Sequence, residues 1–221
     1  MLSVGLLYPH RIHGKHREGT ESFVFLQWIS VLSVRFINPY VCGMKKLKLE
    51  ELGRISPEEY KEVGKIPVVI VLDNVRSLHN VGSAFRTADA FRVEKIYLTG
   101  ITGTPPNREI QKTALGATES VPWEYSPSPE ELVAKLKQEG YVIVAVEQTD
   151  ESTQLNKFTP AAEKRYALVF GNEVNGVSEP VIDLSDMAIE IPQRGSKHSL
   201  NVSVCLGIVV WHFFNQEGLS V

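Results

Sequence analysis

Three polar segments of the sequence combine small residues with side chains suited to ligand chemistry. Segment 1 (residues 80–88) contains Asn80, which stands where a helix N-cap would be, and the small residues Gly82 and Ser83, which allow a ligand to approach the backbone. Its Arg86 carries a guanidinium whose fixed donors match a phosphate. From these residues alone, a capped helix with a surface arginine explains segment 1 equally well.

The other two segments begin at the ends of predicted strands. Segment 2 (residues 171–178) sets the carboxylate of Glu173 between two glycines, where it could contact a ligand or order a neighbouring loop. An Asn-Gly turn with Glu173 as a helix cap is the purely structural alternative. Segment 3 (residues 191–203) passes from a basic loop into a first helical turn, whose free backbone N–H groups suit a ligand. For Ser199 the alternative is a plain N-cap, and Asn201 needs a polar partner if it is buried.

The elements that must position these segments follow from hydrophobic patterning. Runs rich in apolar residues predict strands at residues 68–72, 95–99, 141–146, 166–170 and 187–191, and the first of these runs is uninterrupted. Helices are predicted at residues 56–64, 80–91, 127–140 and 200–214, the first and third with Ser-Pro caps. Strands that alternate with helices predict an α/β fold, with a mostly parallel sheet and helices on both faces. Ligands of such sheets bind beyond the carboxyl ends of the strands, where the three segments lie.

Composition limits the possible classes of function. The 221 residues are 43% hydrophobic and 22% charged, which suits a globular domain with an appendage. The net charge of −3 requires any nucleic-acid contact to be a local basic patch. Cys42 and Cys205 stand far apart, so neither a metal nor a disulfide is expected, and a reducing cytoplasm fits. Neither a G-x-G-x-x-G fingerprint nor a Walker lysine loop occurs.

Taken together, the three segments resemble the three motifs of the SpoU/TrmH family of RNA ribose 2'-O-methyltransferases, within the SPOUT superfamily. Segment 1 matches N-x-G-x-x-x-R-T-A, segment 2 matches G-N-E-x-x-G-x-S, and segment 3 matches I-P-x-x-G-x-x-x-S-L-N-V-S. The resemblance extends over residues 67–214, with the motifs in the family's order and spacing. Ser83 and Gln193 replace the alanine and methionine that the family often has, which affects cofactor packing more than activity.

The resemblance implies an activity, a cofactor and an assembly. It implies methyl transfer from S-adenosylmethionine to a ribose 2'-hydroxyl of tRNA or rRNA. It further implies a homodimer whose active site lies at the subunit interface. No metal is expected because neither cysteine has a partner at metal-ligand spacing, and no membrane association is expected because the apolar stretch at residues 23–37 is too short to span a bilayer. A C-terminal deep trefoil knot over residues 169–210 is also implied. Within this scheme we expect residues 1–43 to be a non-native or disordered extension, residues 44–65 a short N-terminal helical segment, and residues 66–221 the catalytic domain.

Residue roles carry over onto the matching positions. The implied catalytic residues are Asn80, Arg86, Glu173, Ser199 and Asn201. The implied cofactor contacts are Leu98, Thr99, Gly100, Phe170, Gly171, Asn172, Ile191, Pro192, Ser199, Leu200 and Asn201. The basic residues near these loops, expected to bind RNA, are Arg76, Arg108, Lys112, Arg194 and Lys197. Because the pKa of arginine exceeds about 12, a role for Arg86 in holding a phosphate and orienting the ribose stands beside the role of base.

Three alternatives stay open from the sequence. An enzyme of another SPOUT class that methylates a base would lack the motif with Arg86. A catalytically inactive RNA-binding homologue would show decayed motifs, whereas every motif position is intact here. A flavodoxin-like nucleotide binder would need a phosphate loop that the sequence lacks.

Overall fold

The computed structural model describes residues 43–216 of the chain. The chain divides into two units, Met1–Leu47 and Lys48–Val221. Of the first unit only residues 43–47 are described, and they form no helix or strand. The expectation for residues 1–43 therefore lies outside the described residues, apart from Gly43. The predicted helical segment at residues 44–65 contains a 3-10 helix, Leu49–Leu52, and the helix α1 (Pro57–Glu62).

Within its described residues, the second unit contains seven strands, most of which are connected by helices. The strands are β1 (Ile66–Asp73), β2 (Val93–Thr99), β3 (Trp123–Ser126), β4 (Tyr141–Val146), β5 (Thr153–Gln154), β6 (Arg165–Phe170) and β7 (Met187–Glu190). The helices after α1 are α2 (Leu78–Ala90), α3 (Arg108–Ala114), α4 (Ala117–Ser120), α5 (Pro129–Gln138), α6 (Glu179–Leu184) and α7 (Val202–Gln216). A second 3-10 helix spans Leu155–Lys157.

The strands form one parallel sheet in the order β3-β2-β1-β6-β4-β7-β5. Strand β1 shows why the sheet is buried on both sides. Its Ile70 and Leu72 pack into the core under α2, α3, α4 and α7, while Val69 and Val71 pack into the core under α5 and α6. An uninterrupted β-branched run is the pattern that such a two-sided strand requires. The predicted α/β class with helices on both faces is confirmed, and the knot stays a prediction.

The registers align the carboxyl ends of neighbouring strands at one edge of the sheet. Leu72 of β1 pairs with Leu98 of β2 on one side and with Phe170 of β6 on the other. On the far side of β6, Val146 of β4 pairs with Ile189 of β7. The loops that follow these strands therefore leave the sheet at the same edge.

The predicted N-cap of α2 is wrong, and so is the alternative in which Ser199 caps the last helix. Helix α2 begins two residues before Asn80, and the N-cap is Ser77, whose hydroxyl accepts a hydrogen bond from the Asn80 N–H at 3.4 Å. Helix α7 begins at Val202, so Ser199 does not cap it; the Oδ1 of Asn201 accepts instead from the Ser203 N–H at 2.9 Å. The predicted caps Ser56 and Ser128 are confirmed.

The small residue Gly82 serves helix packing. A Cβ at Gly82 would lie 2.1 Å from the Oγ1 of Thr113 and 2.2 Å from the carbonyl oxygen of Ile110. Only glycine lets α2 approach α3 this closely. The expectation that Gly82 makes room for a ligand is therefore wrong: Gly82 makes room for α3. None of the helices in residues 43–216 has the length and apolar character needed to cross a membrane.

Candidate functional site

A chain of hydrogen bonds joins the three polar segments. The Oε1 of Glu173 in segment 2 accepts from the Nδ2 of Asn80 in segment 1, at 3.0 Å. The Oδ1 of Asn80 accepts in turn from the Nδ2 of Asn201 in segment 3, at 3.2 Å. The Oδ1 of Asn201 also accepts from the hydroxyl of Ser203 at 2.6 Å. Residues that are far apart in the sequence therefore form one polar network, which we call the amide relay.

Glu173 anchors the start of α2. Besides Asn80, its carboxylate accepts from the backbone N–H of Arg76 at 3.0 Å and of Ser77 at 2.9 Å. Partial burial alone would raise the pKa of the Glu173 carboxyl, but these two backbone hydrogen bonds and the one from Asn80 hold the pKa below its ordinary value. The side chain is therefore a carboxylate near neutral pH. It accepts hydrogen bonds and orders the helix that carries Arg86, so it is not placed as a proton donor.

The loop of segment 2 depends on two glycines. Asn172 and Gly176 exchange backbone hydrogen bonds of 2.9 Å in both directions and so close a tight loop. A Cβ at Gly171 would lie 2.0 Å from the backbone carbon of Gly176 and 2.0 Å from the nitrogen of Val177. Gly176 has a φ of +70°, which glycine adopts without strain. The loop that presents Glu173 therefore requires glycine at positions 171 and 176.

The buried Asp73 at the end of β1 fixes the other end of segment 2, a role that was not predicted from the sequence. Its Oδ2 accepts from both the N–H and the hydroxyl of Ser178, each at 2.8 Å. The next residue, Asn74, accepts through its backbone oxygen from the Nδ2 of Asn172 at 2.8 Å. An aspartate at the carboxyl end of a buried strand was the available signal.

A cleft of about 580 Å³ lies beside the amide relay, and we call it the first cleft. It is formed by the carboxyl ends of β4, β6 and β7 and by the start of α7. Of the predicted cofactor contacts, those that line it are Phe170, Gly171, Asn172, Ile191, Ser199, Leu200 and Asn201. Pro192 lines only a neighbouring second cleft, and Leu98, Thr99 and Gly100 line neither.

The last residue of β4 and the two residues that follow it line the first cleft and were not predicted. They are Val146, Glu147 and Gln148. The Oε2 of Glu147 accepts from the Val177 N–H at 3.0 Å and the Oε1 accepts from the Gln148 N–H at 2.9 Å, which ties the end of β4 to the loop of segment 2. Their position at the carboxyl end of a buried parallel strand was the signal that could have found them.

The second cleft, of about 700 Å³, is polar and more basic. The predicted RNA contacts Arg194 and Lys197 line it, together with His198. Amide side chains on its wall come from Gln148, Gln154 and Asn156. The two clefts share the lining residues Gln148, Glu190, Ile191, Gln193 and His198, so they are continuous.

Arg86 is exposed on α2 and lines neither cleft. Within residues 43–216 its guanidinium makes no hydrogen bond or ion pair. The structure therefore does not bring Arg86 to the amide relay of its own chain, in contrast to Asn80, Glu173 and Asn201.

Of the other predicted RNA contacts, Arg76 and Arg108 are exposed. Lys112 lies 2.7 Å from Glu109, whose carboxylate also lies 3.1 Å from the Nε2 of His79. Lys112 is thus partly neutralised by its own helix. Among the described residues there is also no group of three or more His, Cys, Asp or Glu side chains that could hold a metal ion.

Comparisons with known proteins agree with these motifs. The sequence profile of the SpoU rRNA Methylase family matches residues 67–211. The 23S rRNA (guanosine-2'-O-)-methyltransferase RlmB of Neisseria meningitidis is 31% identical over 144 residues, which span 65% of this chain and 56% of that protein.

Two solved structures resemble this fold. A TrmH/SpoU tRNA modifying enzyme of A. aeolicus superposes with a TM-score of 0.65 at 29% identity, covering 72% of this chain and 81% of that one. An AdoMet-bound rRNA methyltransferase of Sinorhizobium meliloti superposes with a TM-score of 0.64 at 26% identity, covering 76% of this chain and 62% of that one.

Proposed function

The chain belongs to the SpoU rRNA Methylase family, and from this premise we propose that it transfers a methyl group from S-adenosylmethionine to a ribose 2'-hydroxyl of tRNA or rRNA. The observation that carries the proposal is the amide relay, which joins all three motifs beside the first cleft. The name of the Neisseria relative supports the ribose 2'-oxygen as the target, and the bound AdoMet of the Sinorhizobium relative supports the cofactor. Intact motifs disfavour an inactive RNA-binding homologue.

The first cleft fits the cofactor in size and in chemistry. Its volume of about 580 Å³ lies within the range of small-molecule sites. Apolar side chains that suit an adenine ring come from Val146, Phe170, Ile191, Leu200 and Val202. Carboxylates that suit a cation come from Glu147, Glu173 and Glu190.

The side chains of the amide relay would order the reaction site. When bound, S-adenosylmethionine supplies a methyl group made electrophilic by its positively charged sulfur. Asn201 and Ser199, at the wall of the first cleft, would orient this group against the ribose. The 2'-hydroxyl is a poor nucleophile and must lose its proton as the new bond forms. The guanidinium of Arg86 would bind a phosphate beside that ribose and align its hydroxyl.

Arg86 would act on the first cleft of a second subunit. It is exposed and away from its own first cleft, and α2 packs directly against α7. Helix α7 exposes an apolar stripe in which Val204 and Trp211 are each 51% exposed and Ile208 is 38% exposed. These residues recur every three or four positions along one helix face, the pattern of an interface helix. A homodimer through this stripe would bring Arg86 of one subunit near the relay of the other.

The dimer proposal predicts a change of mass in solution. Ile208→Glu should convert a dimer into a monomer, because it places a charge in an apolar interface. Sedimentation velocity of the wild type and of the variant measures this directly. Ile101→Glu is the matched control, since Ile101 is also an exposed isoleucine but lies outside α7. A wild type that sediments as a monomer, or an Ile208→Glu variant that stays dimeric, would contradict this interface.

The RNA strand would enter through the second cleft. Arg194 and Lys197 supply cations for its phosphates, and the adjoining amides Gln154 and Asn156 can contact ribose or base. Because the second cleft is continuous with the first, a strand bound there lies beside the methyl donor. Arg76, Arg108 and Lys112 would extend this contact over the surface. We expect the protein to work in the cytoplasm, where these RNAs occur and where Cys205 would remain a free thiol.

The proposed activity can be tested with purified protein, radiolabelled S-adenosylmethionine and tRNA or rRNA from cells that lack the gene. We expect label to enter the RNA and to resist alkali at one position, because a methylated 2'-oxygen cannot attack the adjacent phosphate. Label on a base would assign the enzyme to another SPOUT class. Cofactor binding without label in any RNA would favour the inactive homologue.

A further inference from the structure

We infer that Glu147 recognises the positive charge of the methyl donor and so distinguishes S-adenosylmethionine from S-adenosylhomocysteine, its neutral-sulfur product. The inference builds on the proposed function and assigns a specificity-determining residue in the first cleft. The carboxylate of Glu147 has a fixed position and lies on the wall of that cleft, and within residues 43–216 it has no cationic partner.

The position of Glu147 is fixed by the elements on both sides of it. Each carboxylate oxygen accepts one backbone N–H, from Gln148 at 2.9 Å and from Val177 at 3.0 Å. The Oε2 also lies only 2.1 Å from where a Cβ at Gly176 would stand, so the carboxylate packs directly on the glycine backbone. A charge held in this way attracts a ligand without first losing side-chain entropy.

The charge of Glu147 is not balanced by the protein. Among the described residues that line the first cleft there are three carboxylates, those of Glu147, Glu173 and Glu190, and no lysine or arginine. Glu173 is committed to its three donors at the start of α2. Within residues 43–216 neither Glu147 nor Glu190 forms an ion pair. The first cleft therefore has the sign of charge that a cation requires.

The charge of Glu147 also affects Cys205, a second residue that lines the first cleft. Burial raises the pKa of the Cys205 thiol on α7 to about 11, and the negative charge of Glu147 contributes to the rise. Cys205 also lines the first cleft, so the charge of Glu147 acts on another group of the same cleft. We assign Glu147 to a cation because the described lining of the first cleft contains carboxylates and no lysine or arginine.

The expected consequence is a difference between substrate and product. The sulfur carries a full positive charge before transfer and none after it, whereas the amino-acid end of the molecule is unchanged. Attraction to Glu147 therefore strengthens binding of the donor, weakens relative binding of the product and helps the product to leave. Because this attraction is already present in the ground state, it should lower KM without raising kcat.

Titration calorimetry with both ligands tests the inference. Glu147→Gln should weaken S-adenosylmethionine binding by about tenfold and S-adenosylhomocysteine binding by less than about threefold, since only the former loses a charge–charge attraction. A steady-state assay should show a raised KM for S-adenosylmethionine with kcat not reduced. Glu151→Gln removes an equal charge from an exposed residue that lines neither cleft, and it should leave both affinities unchanged.

The outcomes separate this inference from the proposed function. Equal losses for the two ligands would overturn charge recognition and leave Glu147 as an anchor of the loop of segment 2 only. No loss for either ligand would overturn it as well. A wild type that binds neither ligand would instead contradict the proposed function. If Glu147→Gln does not fold, the salt dependence of wild-type binding decides: affinity for S-adenosylmethionine should fall with added salt more steeply than affinity for its product, and parallel slopes would overturn the inference.

Discussion

Replacing Arg86 with alanine should lower kcat for methyl transfer by about a thousandfold, while the Kd for S-adenosylmethionine changes by less than about twofold. The reason is positional. Arg86 lines neither cleft, so its loss removes no contact from the proposed cofactor site. Its guanidinium makes no contact with a polar partner in residues 43–216, so its donors are available to the substrate. Single-turnover methylation and calorimetry together measure the two effects separately.

Two further variants show what property of Arg86 matters. Arg86→Lys keeps the charge but loses the planar fork of donors, and should recover only part of the rate. Arg54→Ala removes an exposed arginine outside the residues that match the family, and should leave both kcat and Kd unchanged. Near-normal turnover of the Arg86→Ala variant would contradict a role for Arg86 in the active site.

Mixing two inactive variants tests whether Arg86 acts across the dimer. Arg86→Ala and Asn201→Ala carry their defects on opposite sides of the proposed interface site. If Arg86 serves the partner's first cleft, random mixing makes about half of the dimers mixed, each with one intact site, and about a quarter of the wild-type activity returns. If Arg86 serves its own subunit, no site in a mixed dimer is complete and no activity returns.

The sequence predicted those parts of the fold that have strong local patterns. Strands β1, β4 and β6 are uninterrupted apolar runs, and each was predicted to within two residues of its bounds. Helix α5 has a serine cap followed by proline, a local signal that does not depend on the rest of the chain. The α/β class follows from these elements alone.

The shortest helices and strands contain too few residues for a hydrophobic pattern that would predict them. Strand β5 has two residues and α4 has four, so neither is long enough to repeat the period of its own kind of element. They form because the sheet edge or a neighbouring helix supplies their contacts. The prediction of the α2 N-cap failed for a related reason. Ser77 and Asn80 are both residue types that cap helices well. Glu173, which lies far away in the sequence, decides between the two by binding the N–H of Ser77.

Which loops line the first cleft depends on the order of the strands in the sheet, and this order could not be predicted from the sequence. Leu98 to Gly100 lie at the carboxyl end of β2 and Val146 to Gln148 at the carboxyl end of β4, and only the former were predicted to contact the cofactor. In the sheet, β6 lies between β1 and β4, so the end of β4 is beside segment 2 while the end of β2 is separated from β6 by β1. Long-range pairing of β6 therefore decides which loop reaches the first cleft.

Gly171→Ala should destroy methyl transfer by a different route, through the shape of the loop of segment 2. A Cβ at this position would lie 2.0 Å from two backbone atoms, the carbon of Gly176 and the nitrogen of Val177. Backbone atoms cannot move aside by a change of rotamer, so the paired hydrogen bonds between Asn172 and Gly176 must break. We expect a loss of about 2–4 kcal/mol in the free energy of unfolding.

Gly171→Ala should disturb both cofactor binding and the amide relay. The opened loop would displace Glu173 from the start of α2 and would move one wall of the first cleft. We therefore expect S-adenosylmethionine affinity to fall by more than about tenfold, in contrast to Arg86→Ala, which spares it. Gly64→Ala is the control, because a Cβ there meets no atom within 4 Å, and its Tm and Kd should match the wild type. Thermal unfolding measures Tm and titration calorimetry measures Kd for the wild type and the two variants. A Gly171→Ala variant that keeps both the wild-type Tm and the wild-type Kd would show that the loop of segment 2 does not pack Gly171 against Gly176 and Val177.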